Sequence, residues 1–159
     1  MTFKDDSEIE RIGLGLLDRT LPKSCWTHRA HFAAAIWLLR NRPELTAPLE
    51  IARIIRTYNE ATGTPNTDTG GYHATITLAS MRAASQHLSR YPAATELHLI
   101  VNALMASPLG HPDWLLSYWS RDRLFSAAAR RGWIEPDVAP TPPWPASHDE
   151  RHLPYHWHD

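Results

Sequence analysis

The stretch THRAHFAAAIWLLRN, residues 27 to 41, decides the fold class of this chain. Thr27 is a residue type favoured at helix N-caps, because its side chain can accept a hydrogen bond from a backbone N–H of the first turn. One stripe of residues then follows at helical spacing. Its members are His28, His31, Ala35, Leu38 and Leu39. The pattern predicts a helix with both histidines on its inward face.

Helical spacing continues on both sides of this segment, and no stretch shows the sustained alternation of a half-buried strand. Further helices are predicted over residues 5–19, 46–63, 72–90 and 94–107, with shorter helical pieces over 113–131. A chain of 159 residues fits one domain. We therefore expect an all-α, single-domain bundle of about five main helices in residues 1–134. A Pro-rich extended tail is expected in residues 135–159, whose clustered histidines can bind a metal adventitiously.

Composition excludes several classes of function. The chain has 16 basic and 17 acidic residues, so no net positive field favours a nucleic acid partner. No stretch approaches the roughly 20 apolar residues of a membrane helix, and the acidic first residues do not resemble an export signal. The single cysteine, Cys25, is expected to be a small buried or half-buried side chain. We expect a cytoplasmic protein that binds neither nucleic acid nor membrane.

Three histidines form the clearest candidate site. His28 and His31 are three residues apart, so their rings lie side by side on one helix. His73 stands at the predicted start of another helix, after the loop GTPNTDTGG at residues 63–71. Three histidines with an open coordination position are a known arrangement for a catalytic metal. The pattern favours a divalent ion (zinc, iron or manganese) at these rings, in a possible metal-assisted enzyme.

The same histidines have a structural alternative. Inward-facing imidazoles often hydrogen-bond to backbone carbonyls or cap a helix end. They can also line a small-molecule pocket between helices in a non-catalytic binding or regulatory module. The glycine-broken loop lacks the Gly-Lys-Ser/Thr ending of a nucleotide-binding loop, so its polar residues are expected to form ordinary turns. The sequence alone leaves the enzyme and the binding module open.

Two arginines lie among aromatic residues in YWSRDRLFS, residues 118 to 126. Arg121 can enter a pocket and clamp a carboxylate of a small-molecule ligand, because a guanidinium binds carboxylates through two hydrogen bonds. Surface pairing of Arg121 and Arg123 with nearby acids is the competing interpretation. Both are candidate ligand-binding residues.

Three segments together resemble an uncharacterised family of small bacterial all-helical proteins. They are WTHRAHF at 26–32, YNEATGTPNTDTGGYHATIT at 58–77 and YWSRDRLFSAAARRGWIEPD at 118–137. The family shares a Trp/Phe-x-His-x-x-His segment, a Tyr-His-Glu-Thr segment and an Arg-x-Arg-Leu-Phe-Ser segment. The resemblance implies that Tyr72 belongs with the candidate ligand-binding residues, but it brings no established activity. Ala74 stands where the family has Glu, so any role of that carboxylate is absent from this chain.

Overall fold

The computed structural model describes residues 2–145, and that part of the chain is all-α. Five longer helices and two short ones follow one another, with single-turn 3-10 helices in the connections. The helices are α1 (Asp6–Asp18), α2 (His28–Asn41), α3 (Pro48–Ala61), α4 (Ala74–Leu88), α5 (Leu97–Ala106), α6 (Arg121–Leu124) and α7 (Ala127–Arg131). The predicted all-α bundle with about five main helices is confirmed.

Helix α2 is the centre of the bundle and packs against α1, α4 and α5. Every residue from Phe32 to Leu38 is buried, so the helix is covered on all sides rather than along one stripe. Three consecutive alanines, at 33–35, let neighbouring helices approach closely. Against α1 the fit is tightest at Gly13, where an added Cβ would lie 2.4 Å from the Trp37 ring. The sequence therefore predicted the helix correctly but underestimated its burial.

The residues at the N-termini explain where α1, α2 and α3 begin. Asp5 caps α1, and its carboxylate accepts a hydrogen bond from the Glu8 N–H. Thr27 caps α2 as expected. Helix α3 begins at Pro48, in the first turn where a missing N–H costs nothing, and its N-cap is Ala47. Because these residues mark helix starts, the predicted and observed helix boundaries differ by only a few residues.

The chain returns to the bundle after α7. Thr75 of α4 is fully buried, and its hydroxyl donates to the Gly132 carbonyl at 2.7 Å. The Trp119 indole N–H donates to the Ile134 carbonyl at 3.1 Å. Further along, the Trp144 ring packs edge-on against Trp114, with ring centroids 5.7 Å apart. Residues 133–145 contain no helix or strand, as expected of an extended segment, and they pack on the bundle.

Four tail histidines lie outside the described residues: His148, His152, His156 and His158. The expectation that they bind a metal adventitiously therefore concerns residues that the structure does not describe. Within residues 2–145, every helix is too short or too polar to cross a bilayer.

Candidate functional site

A cleft of about 390 Å³ opens between α2, α3 and α4. Its walls are mostly apolar. The aliphatic lining comes from all three helices: Ala34, Ala35, Leu38, Ile51, Ile55 and Ile76. Polar groups enter from the ends of the helices and from the connections: Lys23, His31, Asn59, Tyr72, His73 and Arg130. An apolar cavity of this size with a few convergent polar groups is the usual form of a small-molecule site.

The loop between α3 and α4 holds Tyr72 in this cleft. Asn66 organises the loop, because its side-chain oxygen accepts hydrogen bonds from the Tyr72 N–H at 2.9 Å and the Asn59 amide at 3.1 Å. Its amide group donates to the Arg56 carbonyl at 3.1 Å. Gly71 has φ 79°, and an added Cβ would lie 2.5 Å from the Pro65 carbonyl oxygen. The loop is therefore a fixed support for Tyr72.

Tyr72 carries a buried polar group without a partner. Its side chain is 5% exposed, and its hydroxyl makes no hydrogen bond of normal geometry. Burial raises the pKa of Tyr72 against the smaller opposing effects of the Arg56 charge and the Thr77 side chain, so the phenol stays protonated near pH 7. Leaving such a group unbonded costs roughly 1–3 kcal/mol. A buried polar group without a hydrogen bond is rare in native proteins, and where one occurs it often has a function, such as contact with a ligand.

Arg130 of α7 is the second residue with an unpartnered buried donor. Its Nη1 donates to the Gly71 carbonyl at 3.1 Å and lies 3.5 Å from the Tyr72 carbonyl. Its Nε is buried without a hydrogen bond. Burial lowers the pKa of Arg130, while Asp68 opposes that effect. The guanidinium thus fastens the chain beside Tyr72, and its Nε–H has no partner.

Of the three predicted histidines, His31 is the one that is open to a ligand. Its ring packs against Trp26, with ring centroids 4.2 Å apart, and makes no hydrogen bond to the described residues. It lies on the inward side of α2, but the space beside it is the cleft, so the ring is exposed there. The surrounding walls still desolvate the ring, and together with His28 and Lys23 they lower its pKa to about 4. His31 is therefore neutral near pH 7, with a free nitrogen lone pair.

His73 has a structural role. It is the N-cap of α4 rather than a residue of its first turn, and its Nδ1 accepts a hydrogen bond from the Ile76 N–H at 3.1 Å. Its Nε2 donates to the Leu124 carbonyl at 2.6 Å. Both nitrogens are occupied, which fixes the neutral Nε2–H tautomer. The ring is 6% exposed, and burial lowers its pKa to about 4.

His28 is likewise tied to the backbone, since its Nε2 donates to the Leu109 carbonyl at 2.9 Å. It faces a smaller cavity of about 80 Å³, which it shares with His31. The nitrogens of His28, His31 and His73 do not come together within ligand distance of one ion in the part of the chain described. A metal at all three would first have to displace the bonds that His28 and His73 make to carbonyls.

Lys23, Asn59 and Arg130 were not predicted from the sequence. Lys23 lies in the 3-10 turn Lys23–Cys25 before α2, and its Nζ donates to the Asn59 side-chain oxygen at 3.3 Å. Desolvation lowers the pKa of Lys23. One available signal was the scarcity of lysine, since the chain contains only Lys4 and Lys23. The sequence pattern did not indicate that Asn59 is buried.

A second, more polar cavity of about 180 Å³ lies against the same loop. Arg56, Asn66, Asp68 and Arg131 contribute to it, and Asp68 pairs with Arg131. Tyr72 and Arg130 line this cavity as well as the apolar cleft. They therefore mark the place where the apolar and the polar surroundings meet.

Arg121 and Arg123 are not among the residues that line the cleft. Both are exposed. Arg123 donates through Nε to the Glu135 carbonyl at 2.6 Å, and the Arg121 guanidinium lies over the Phe125 ring, 5.9 Å from its centroid. The arginine that reaches the cleft is Arg130, from the next helix along the chain.

One cluster of potential metal ligands occurs among the described residues: Asp6, Glu96 and His98. Its geometry has a structural explanation. The Asp6 carboxylate accepts hydrogen bonds from the Leu97 N–H at 3.0 Å and the His98 N–H at 2.8 Å, at the N-terminus of α5. The His98 ring nitrogen adds a third at 2.7 Å. These bonds lower the pKa of Asp6 against the opposing effect of burial, which is the largest single influence. The cluster caps α5 and joins it to α1.

Comparison with protein-family models, curated proteins and solved structures found no match to this chain. The resemblance to a family of small bacterial helical proteins therefore stays an interpretation of the sequence.

Proposed function

We propose that this helical protein binds a small organic molecule in the cleft between α2, α3 and α4. The observation that carries the proposal is the Tyr72 hydroxyl, a buried polar group without a hydrogen bond at the wall of an apolar cavity. A ligand that accepts a hydrogen bond there would remove the cost of the unsatisfied group. Among the predicted alternatives, a ligand pocket lined by histidines is the one that this geometry favours.

The cleft also has the preorganisation that a binding site needs. Tyr72 is held by Asn66 and Arg130, and His73 caps α4 at the next position. The Trp26 and His31 rings pack against each other at a tilt of 54° on the α2 side. Because these side chains are fixed before a ligand arrives, binding would cost little ordering entropy.

The test uses three probes with the same alkyl chain: octanoate, octanol and octylamine. Each is titrated into the full-length protein by isothermal calorimetry, and at least one is expected to bind. Ser80 lines the cleft from α4, so Ser80→Phe should fill it and weaken that binding at least about tenfold, since steric overlap of this kind costs over 1.4 kcal/mol. Ser85→Phe, on the same helix but outside the cleft lining, is the matched control and should bind as the parent does.

Failure of all three probes to bind would contradict the proposal. Binding that Ser80→Phe and Ser85→Phe leave equally intact would also contradict it, because the probe would then occupy another surface. Circular dichroism of both variants verifies that the fold is retained in the comparison.

A further inference from the structure

We infer that the ligand of this cleft is a carboxylic acid with an apolar body, bound as its anion with the carboxylate at Tyr72 and Arg130. This inference rests on the proposed function and names the ligand class for the same site. It follows from three features: the charge of the lining, the position of the free donors and the difference between the two neighbouring cavities.

The lining of the apolar cleft is cationic. Lys23 and Arg130 are its charged side chains, and no Asp or Glu occurs among the described residues that line it. His31 and His73 add no charge near neutral pH, since both have pKa values of about 4. The whole chain has a net charge of −1, so two positive charges without a carboxylate are a local feature of this cleft. Such a lining favours an anion over a neutral or cationic ligand.

The unpartnered groups can both donate. The protonated Tyr72 hydroxyl donates one hydrogen bond, and the Arg130 Nε–H donates another. A carboxylate accepts hydrogen bonds at two oxygens and has no donor of its own. Hydrogen bonds to a charged group contribute more than neutral ones, which suits an anion at this position.

The two cavities orient the ligand. Of the residues that the structure describes, only Tyr72 and Arg130 line both the apolar cleft and the polar cavity beside Arg56. An acid whose head lies at these two residues has its hydrocarbon part among Ile51, Ile55 and Ile76 in the apolar cleft. The arrangement separates the polar and apolar ends of one amphipathic molecule.

The experiment compares the dissociation constants of octanoate, octanol and octylamine for the full-length protein at pH 7. Octanoate should bind at least about tenfold more tightly than either analogue, because hydrogen bonds to a charged group contribute more than neutral ones. Lys23→Gln removes one of the two positive charges of the lining and should reduce that preference.

Tyr72→Phe separates a binding role from a structural one. The substitution removes a hydroxyl that makes no hydrogen bond, so the variant should be at least as stable as the parent in urea unfolding. It should nevertheless bind octanoate at least about threefold more weakly. Tyr58→Phe is the matched control for stability, since the Tyr58 hydroxyl donates to the Leu21 carbonyl at 2.8 Å and its loss should destabilise the fold.

The outcomes distinguish the two proposals. If octanol or octylamine binds through the cleft as tightly as octanoate, the proposed function stands and the carboxylic acid inference is overturned. If Tyr72→Phe binds octanoate as the parent does, the placement of the carboxylate is wrong. If none of the three probes binds, both proposals fail.

Discussion

His73 and Leu124 are 51 residues apart in the chain, and a hydrogen bond of 2.6 Å joins the imidazole Nε2 of one to the carbonyl of the other. The other ring nitrogen of His73 caps α4. One neutral histidine thus begins a helix and fastens α6 to it, and the bond that caps α4 requires the uncharged ring. Protonation would remove the acceptor that the cap needs.

This arrangement predicts a loss of stability in acid. The pKa of His73 is lowered from 6.5 to about 4 by burial, so below pH 6.5 the unfolded chain binds a proton that the folded chain does not. Stability should therefore fall between pH 6.5 and 4, with a contribution from His73 of about 3 kcal/mol. His73→Asn keeps a good N-cap residue without a titrating ring. In urea unfolding it should show a shallower pH dependence over this window, and an unchanged slope would contradict the assignment.

Asn66 is predicted to be the most important side chain of the loop before α4. Asn66→Ala removes its bonds to Tyr72, Asn59 and Arg56 and leaves their polar groups unpaired, which should lower the free energy of unfolding by about 2–3 kcal/mol. Urea unfolding measures the loss, and hydrogen exchange should show reduced protection at the Tyr72 amide. Thr69→Ala, at an exposed position of the same loop, should change stability by less than about 0.5 kcal/mol. Equal effects of the two substitutions would refute this role of Asn66.

Ala74 is predicted not to tolerate the glutamate of the resembling family. Its side chain is 0% exposed and packs with Ala52 and Tyr72. Ala74→Glu would add volume and a buried carboxylate, and overpacking alone costs roughly 1–3 kcal/mol. The thermal midpoint should drop, whereas Ala103→Glu at an exposed position of α5 should leave it nearly unchanged. A variant at Ala74 as stable as the parent would show that this cluster has room for the carboxylate.

A divalent ion at His28, His31 and His73 stays a prediction from the sequence, and zinc titration can test it. Our account expects zinc binding to disappear when the four tail histidines at 148, 152, 156 and 158 are replaced by Asn, and to survive His31→Gln. The reason is that His28 and His73 use ring nitrogens for backbone carbonyls. Calorimetry that detects zinc binding in the tail variant, and its loss on adding His31→Gln, would support the metal site instead.

The fold was predictable because its signals are local. Thr27 and Pro48 mark helix starts through the chemistry of the first turn, and spacing along the chain identifies the helical segments. The burial of α2 on all sides was not predictable in this way. Its extra covered faces arise from the packing of α1, α4 and α5, which single-helix periodicity does not contain.

The candidate site was only partly predictable, because tertiary contacts decide what each ring does. His28 and His31 have the same helical context, yet the connection after α5 brings the Leu109 carbonyl to His28 and leaves His31 open to the cleft. Arg130 reaches the cleft while Arg121 does not, although both lie in short helices near the C-terminal end of the bundle. An unpaired Tyr72 hydroxyl is visible only once its neighbours are in place.

The most direct test of ligand binding in the cleft is an NMR measurement of intermolecular NOEs between octanoate and protein with labelled isoleucine δ1 methyl groups. Ile51, Ile55 and Ile76 line the cleft, while Ile9 and Ile36 are fully buried elsewhere and serve as internal controls. The account predicts NOEs from the alkyl chain of octanoate to the three cleft methyls and none to the two controls. Saturating octanoate that gives no NOE to any of the three cleft methyls would contradict it.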